Sequence, residues 1–223
     1  MASKLWWLIH KDLLTECRTR RVGPAMLALG AIVALVFSLQ ADLPAGQRPQ
    51  IVGSLLWLAV FFAGTVALDR SFASEREGGG WQGLLLYPVP PTLIYLAKLA
   101  VNAAALVALA CVLVPLFAAL CGVPLLAHPA AMLLVVVLAS LGIAAVGTLV
   151  SALAAGTRQA GNLLVLLVLP LVTPVVLGAA EATRLAAENN LGAEWWRWVQ
   201  LLGGFAAIFI TAGVLLFEVA IEE

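Results

Sequence analysis

Charged residues are scarce in this chain of 223 residues. They make up 11% of it, whereas soluble globular domains carry about a quarter. The 12 basic and 12 acidic residues cancel, so no overall positive field points to a nucleic-acid partner. The three cysteines, Cys17, Cys111 and Cys121, contain no CxxC pair and predict neither a disulfide framework nor a metal site. These absences argue against a soluble domain and against a nucleic-acid-binding protein.

Motifs for nucleotide binding and catalysis are absent as well. The sequence contains no phosphate-binding GxxxxGK[ST] loop, no HExxH pair and no GxSxG nucleophile elbow. Its aspartates and glutamates fall in predicted loops, near span ends or at the termini, with Glu218 as the nearest exception. Ion-coupled transporters carry ionisable groups at mid-membrane depth. The chain is therefore predicted to be neither an ATPase nor a secondary transporter.

Long apolar runs fill the sequence instead. Hydrophobic residues make up 63% of the chain and its mean hydropathy is +1.07. A helix crosses a bilayer with about 20 consecutive apolar residues. The runs between polar breaks predict an all-α membrane protein with six transmembrane helices. The predicted spans are 22–39, 51–68, 93–123, 130–155, 163–180 and 199–217.

Residues 1–21 are predicted to form an amphipathic helix in the plane of the lipid headgroups. Leu5, Ile9 and Leu13 recur at helical spacing, while basic residues recur every seven positions on another face. Such a polar face is costly inside hydrocarbon and favourable at the interface. The alternative is that this helix merely extends the first span. In both cases residues 22–223 form the six-helix domain.

Lysine and arginine are distributed unevenly around the predicted spans. With the N-terminus in the cytoplasm, the outer side carries three of the 12 basic residues, which leaves nine inside. Because cytoplasmic loops of membrane proteins are enriched in Lys and Arg, both termini and residues 69–91 are predicted to face the cytoplasm. The three outer residues are Arg48, Arg184 and Arg197.

One stretch interrupts the apolar pattern. Residues 69–91, the central segment, read DRSFASEREGGGWQGLLLYPVPP and combine charges, a glycine run and a short apolar patch. A helical turn starting near Ser74 and ending at the glycines is predicted within it. Charges followed by an apolar knob fit a groove on a soluble protein, although an interfacial loop whose leucines dip into lipid fits equally well. The residues predicted to dock are Glu75, Arg76, Glu77, Trp81, Gln82, Leu84, Leu85, Leu86 and Pro88.

Small residues repeat along the fourth predicted span. Two adjacent rows at four-residue spacing form a face that lets another helix approach closely. We predict helix packing there, within the bundle or against another subunit, rather than a substrate path. The small-residue face comprises Ser140, Ala144, Gly147, Thr148, Ser151 and Ala152.

Tryptophan is concentrated just before the sixth predicted span, on the outer side. Indole rings stack on a flat macrocycle and a neighbouring arginine could pair a propionate, so haem contacts are one interpretation. An aromatic belt at the membrane interface is the default one. The two histidines of the chain are predicted on opposite sides of the membrane and cannot form one metal site. The candidate haem contacts are Trp195, Trp196, Arg197, Trp198 and His128.

Two stretches of the sequence resemble the haem exporter protein B family, the CcmB-type ABC transporter permeases of cytochrome c maturation. They are DRSFASEREGGGWQGLLLYPVPPTLIYLAK, followed by a long apolar run, and GTRQAGNLLVLLVLPLVTPVVLGAA. The length, the six predicted spans and the amphipathic N-terminal helix also fit, so the resemblance covers nearly the whole chain. Gln82 stands where the family pattern has an acidic residue, which bears on the electrostatics of docking and not on the family.

The resemblance implies a permease subunit without its own ATPase, in the bacterial inner membrane. A CcmA-type ATPase would dock on the central segment. CcmC- and CcmD-type membrane proteins and a second permease copy would complete the complex. ATP would act only through the partner subunit, and haem would be a transported or handled ligand rather than a covalently bound cofactor. The complex would supply haem to the periplasmic chaperone, either by moving haem or by freeing the loaded chaperone.

A second hypothesis is a membrane scaffold of the same kind of complex, which binds partner helices and moves nothing. The small-residue face would then be its functional part, whereas the permease hypothesis places function in the central segment. An intramembrane enzyme is disfavoured because the sequence holds no catalytic set.

Overall fold

The computed structural model describes the backbone of residues 22–39, 46–77, 90–154 and 160–222. Within these ranges the chain forms six α-helices and no strand. They are α1 (Val22–Leu39), α2 (Arg48–Glu77), α3 (Pro91–Cys121), α4 (Pro129–Ala154), α5 (Ala160–Ala187) and α6 (Ala193–Glu222). The amphipathic helix predicted for residues 1–21 lies outside the described residues.

Four of these helices are long and apolar enough to cross a membrane by length and composition. They contain the stretches Thr92–Cys121, Pro129–Ser151, Val168–Ala187 and Ala193–Leu216. α1 contributes a shorter apolar helix, Gly23–Leu39. The all-helical fold with long apolar helices is thus confirmed for the described part of the chain, while the crossing of the membrane by six helices stays a prediction.

Three helices extend beyond the predicted spans. α2 continues through the first residues of the central segment to Glu77, so residues 74–77 are helical as predicted, but as the last turn of α2 and not as a separate turn. α5 continues to Ala187, and α6 begins at Ala193 rather than at residue 199. Hydropathy marks where an apolar run ends, but backbone hydrogen bonds carry a helix on into the polar region.

Ion pairs support the extension of α5. Arg184 binds Glu181 at 2.8 Å and Glu188 at 2.7 Å, at spacings of three and four residues. Opposite charges at these spacings are neighbours on a helix surface and stabilise it. The polar end of α5 is therefore helical for a local electrostatic reason that mean hydropathy does not register.

Proline and glycine define the turn between α3 and α4. Pro91 and Pro129 are the first residues of the two helices, where a missing backbone N–H costs nothing. Gly122 ends α3 at φ 65°, and its N–H donates to the Ala118 carbonyl at 3.1 Å. This left-handed conformation closes the last turn of the helix and suits glycine because it has no Cβ.

The core of the bundle lies around α4, which contacts α2, α3, α5 and α6. An 18-residue stretch of Pro129–Ser151 is 72% buried, whereas the corresponding stretch of Ala193–Leu216 is 22% buried. α1 lies at one edge, against α2 and α3. Small side chains on α4 let four helices approach it at once, as expected for association in a membrane.

A buried hydrogen bond joins α2 to α5, and we expect it to couple the two residues energetically. The indole Nε1 of Trp57 donates to the Thr183 hydroxyl at 2.9 Å, and both side chains are fully buried. Trp57→Phe and Thr183→Val should therefore be non-additive, with a coupling free energy of about 0.6 kcal/mol and no more than about 2 kcal/mol. Thermal unfolding of the purified single and double variants measures this coupling.

Thr173→Val is the matched control for that cycle. The Thr173 hydroxyl donates to the Leu169 carbonyl of its own helix at 2.8 Å. Combined with Trp57→Phe, this change should be additive. Additive behaviour of Thr183→Val as well would show that the bond between α2 and α5 contributes nothing.

Candidate functional site

The start of the central segment is held against α4. Leu68, the residue before it, is fully buried, and its carbonyl accepts a hydrogen bond from the Ser151 hydroxyl at 3.2 Å. Gly147, one turn earlier on α4, leaves the space that the Leu68 side chain fills, since a Cβ there would collide with both Leu68 methyl groups. The segment therefore begins from a fixed point in the core.

The end of the central segment is held by the first turns of α3. Tyr95, Lys98 and Asn102 are buried although they are polar, and their spacing of three and four residues places them on one face of the helix. The Asn102 amide donates to the Thr148 hydroxyl of α4 at 2.9 Å. Buried polar groups in an apolar bundle are costly unless they are hydrogen-bonded, so these contacts fix α3 against α4.

Tyr95 joins a third helix to this site. Its hydroxyl lies 3.3 Å from the Ala145 carbonyl of α4 and 3.5 Å from the Phe209 carbonyl of α6. Gly213 of α6 provides room for the ring, because a Cβ at that position would overlap the phenol. α2 and α3, which lead into and out of the central segment, are thus connected through α4. Through Tyr95, α3 also contacts α6.

The small-residue face lies at the centre of the bundle. The structure buries Ser140, Ala144, Gly147, Thr148 and Ser151 beneath the chain's own helices. Ala152 belongs to the last turn of the same helix. A face that is covered in this way is not available to a partner helix unless the bundle opens.

The predicted docking residues fall into two groups. Glu75, Arg76 and Glu77 form the last turn of α2. The other six, which include Trp81 and the leucines, lie outside the described residues. Docking on the central segment therefore stays a prediction, and its described parts are the helix that leads into it and the helix that leaves it.

The outer residues proposed to contact haem are spread over two segments. Trp195 and its neighbours belong to the first turns of α6 and not to a loop. Trp195 is 4% exposed and offers almost no surface to a macrocycle, whereas Trp196 is 52% exposed and Arg197 is exposed. Trp198 is half-buried.

His128 lies apart from these rings in the sequence, in the turn between α3 and α4. Its Nε2 is 2.5 Å from the Asn189 side-chain oxygen, in the turn that precedes α6. Asn189 has a φ of 59°, a left-handed conformation that Asn tolerates better than most residues. The turn between α3 and α4 and the turn between α5 and α6 are therefore joined by this bond. Among the described residues, no group of three or more His, Cys, Asp or Glu side chains could hold a metal ion.

The sequence patterns do not identify Tyr95, Lys98 or Asn102 as site residues. The available signal was their recurrence on one helical face within an otherwise apolar helix. Polar side chains inside a span usually face the interior of the bundle. That rule assigns them to the interior but names no partner residue.

The chain matches the family model described as CcmB protein over residues 3–222. Heme exporter protein B of Pseudomonas aeruginosa is 35% identical to it over 185 residues, which cover 81% of this chain and 80% of the relative. The protein of the same name from Rhodobacter capsulatus is 35% identical over 158 residues, or 66% of this chain and 69% of the relative. That of Paracoccus denitrificans is 29% identical over 191 residues, or 82% and 83%.

These matches confirm the resemblance that two stretches of the sequence indicated. The family model extends from the first residues to the end of α6, and the Pseudomonas relative shares more than a third of its aligned residues with this chain. Together with the apolar helices, they identify the chain as a multi-pass helical membrane protein that belongs to the CcmB family.

Proposed function

We propose that this chain is the permease subunit of an ABC transporter complex for cytochrome c maturation. A CcmA-type ATPase docks on the central segment, and its cycle of ATP binding and hydrolysis moves the helices of the permease. The complex either exports haem or releases the haem-loaded periplasmic chaperone. The chain itself hydrolyses no ATP, in keeping with its lack of a phosphate-binding loop.

The observation that carries this proposal is that the helices on both sides of the central segment, α2 and α3, are hydrogen-bonded to α4 in the core. Its first residues continue α2 directly after the buried Leu68, and its end leads into α3, whose polar face is hydrogen-bonded to α4. If a partner displaces a segment held in this way, α2, α3 and α4 must shift with it, because the segment is attached to the core of the bundle. The names of the three relatives, all Heme exporter protein B, support the haem-related role.

The orientation and partners follow from the same proposal. Both termini and the central segment face the cytoplasm of a bacterial inner membrane, as the distribution of Lys and Arg predicts. CcmC- and CcmD-type membrane proteins and a second copy of the permease complete the assembly, because an ABC transporter needs two membrane halves. Haem is the handled ligand, and exposed Trp196 and Arg197 remain the outer candidates to contact it.

A pure scaffold is the less favoured function. It requires a face that recruits partner helices, and the small-residue face proposed for that role is buried beneath the chain's own helices. The scaffold hypothesis therefore needs a different surface, and no observation on the described residues favours one.

Co-purification with a CcmA-type ATPase tests the proposal. The tagged chain, co-expressed with that ATPase and solubilised in mild detergent, should retain it, and ATP hydrolysis by the complex should depend on both subunits. In cells that lack the native permease, the same plasmid should restore cytochrome c maturation. A chain that restores maturation without ever binding the ATPase would favour the scaffold.

A further inference from the structure

Two hydrogen bonds tie the helix that leads into the central segment and the helix that leaves it to one short stretch of α4. Ser151 donates to the carbonyl of Leu68 at 3.2 Å, and Thr148 accepts from Asn102 at 2.9 Å. Thr148 and Ser151 are three residues apart and lie on the same side of α4. We name this set the polar clasp: Asn102, Thr148, Ser151 and the Leu68 carbonyl.

The polar clasp differs in kind from the contacts around it. Most of the buried side chains of α2, α3 and α4 are apolar, and apolar contacts are not directional, so they resist sliding of one helix past another less sharply than hydrogen bonds do. Hydrogen bonds weaken steeply when their angle and length change. In the clasp they fix α2 and α3 at one height relative to α4, where water cannot replace a broken bond.

The clasp also lies close to the central segment, on which the ATPase is proposed to act. Leu68 directly precedes the central segment, and Asn102 lies about three helical turns after its end. All three clasp side chains are buried, with exposures of 0% for Thr148 and Ser151 and 4% for Asn102. None of them is therefore placed to contact the ATPase, and any role in coupling must be exerted through the positions of the helices.

We propose that Asn102, Thr148 and Ser151 are positioning residues that make α2, α3 and α4 move as one body when the ATPase pushes on the central segment. This inference rests on the proposed function, since it describes how docking on that segment is converted into movement of the bundle. Without the clasp the ATPase still docks and still displaces the central segment. The helices then slide past one another, and the rest of the bundle does not move with the segment.

Removing both hydrogen bonds while keeping side-chain volume tests this role. Asn102→Leu combined with Ser151→Ala should retain the CcmA-type ATPase on co-purification at the wild-type level, while cytochrome c maturation per unit of membrane-inserted chain falls about tenfold, within the usual range of coupling between sites. The decisive readout is the ATP hydrolysed per cytochrome matured, which should rise by the same factor. A merely structural defect lowers the amount of inserted chain and leaves this ratio unchanged.

An exchange of partners provides the rescue. Asn102→Thr with Thr148→Asn places the same amide and hydroxyl on opposite helices, so the double variant should recover most of the activity that each single change removes. Thr211→Val is the matched control, because its hydroxyl donates to the Ala207 carbonyl of its own helix at 2.8 Å, and this change should have no effect.

The outcomes separate the inference from the proposed function. A wild-type level of cytochrome c maturation in the Asn102→Leu, Ser151→Ala variant would contradict the proposed role of the clasp. So would an Asn102→Thr, Thr148→Asn variant that recovers none of the lost maturation activity. Loss of the ATPase from the Asn102→Leu, Ser151→Ala variant also overturns it, because the residues would then serve docking. A wild-type chain that never retains the ATPase overturns the proposed function itself, and the clasp with it.

Discussion

Replacing Leu84 and Leu85 with aspartate is expected to abolish co-purification of the CcmA-type ATPase. These leucines form the apolar centre of the central segment, and the few residues that dominate an interface each cost about 2 kcal/mol or more of binding free energy when truncated. A carboxylate that enters an apolar groove adds a desolvation penalty. Affinity should therefore fall by a factor of about 30 or more, and cytochrome c maturation should fall with it.

Leu126→Asp is the control for that change. Leu126 is an exposed leucine in the turn between α3 and α4, on the predicted outer side, so the same chemical change is made away from the central segment. This variant should retain the ATPase in full. If the Leu84→Asp, Leu85→Asp variant reaches the membrane in normal amounts and still binds the ATPase as the wild type does, the central segment is not the docking surface.

Gly147→Leu is expected to destabilise the whole bundle. A Cβ at this position already collides with the side chain of Leu68, which is fully buried. Overpacking of a filled core costs about 1–3 kcal/mol, and a helix bundle of this size loses roughly 2–4 °C of melting temperature per kcal/mol. Thermal unfolding in detergent should show a decrease of several degrees and a smaller yield of inserted chain.

Gly203→Leu separates steric overlap from any general effect of replacing a helical glycine. Nothing lies within 4 Å of a Cβ built on Gly203 of α6. The isolated chain should therefore tolerate leucine there, with a melting temperature equal to that of the wild type or higher, because leucine favours a helix more than glycine does. Equal melting temperatures for the two variants would show that α2 and α4 are not in close contact at Gly147.

Composition and hydropathy were sufficient to predict the six described helices and their order. They were not sufficient for the ends, because hydropathy reports the environment of a residue and not its backbone conformation. The pairing of Arg184 with Glu181 and Glu188 continues α5 through a charged stretch. In the same way α2 continues as a helix to Glu77, past the point where charges begin.

The candidate site was predictable only in part. The central segment stood out because its charges and apolar patch break the hydropathy pattern, and the small-residue face stood out because of its four-residue spacing. The hydrogen bond between Asn102 and Thr148 joins residues 46 positions apart, and local sequence patterns carry no information about such pairs. Tyr95 likewise resembles any aromatic residue near a span start until its neighbours on α4 and α6 are known.

Site-specific photo-crosslinking from the central segment is the most direct test of the central claim, that a soluble ATPase docks there. A benzoylphenylalanine incorporated in place of Leu84, in membranes that contain the CcmA-type ATPase, should give a crosslinked product that includes the ATPase. The same probe in place of Leu126 should give no such product. Crosslinks from position 84 to lipid alone, with the ATPase present and active, would contradict the account and identify the central segment as an interfacial loop.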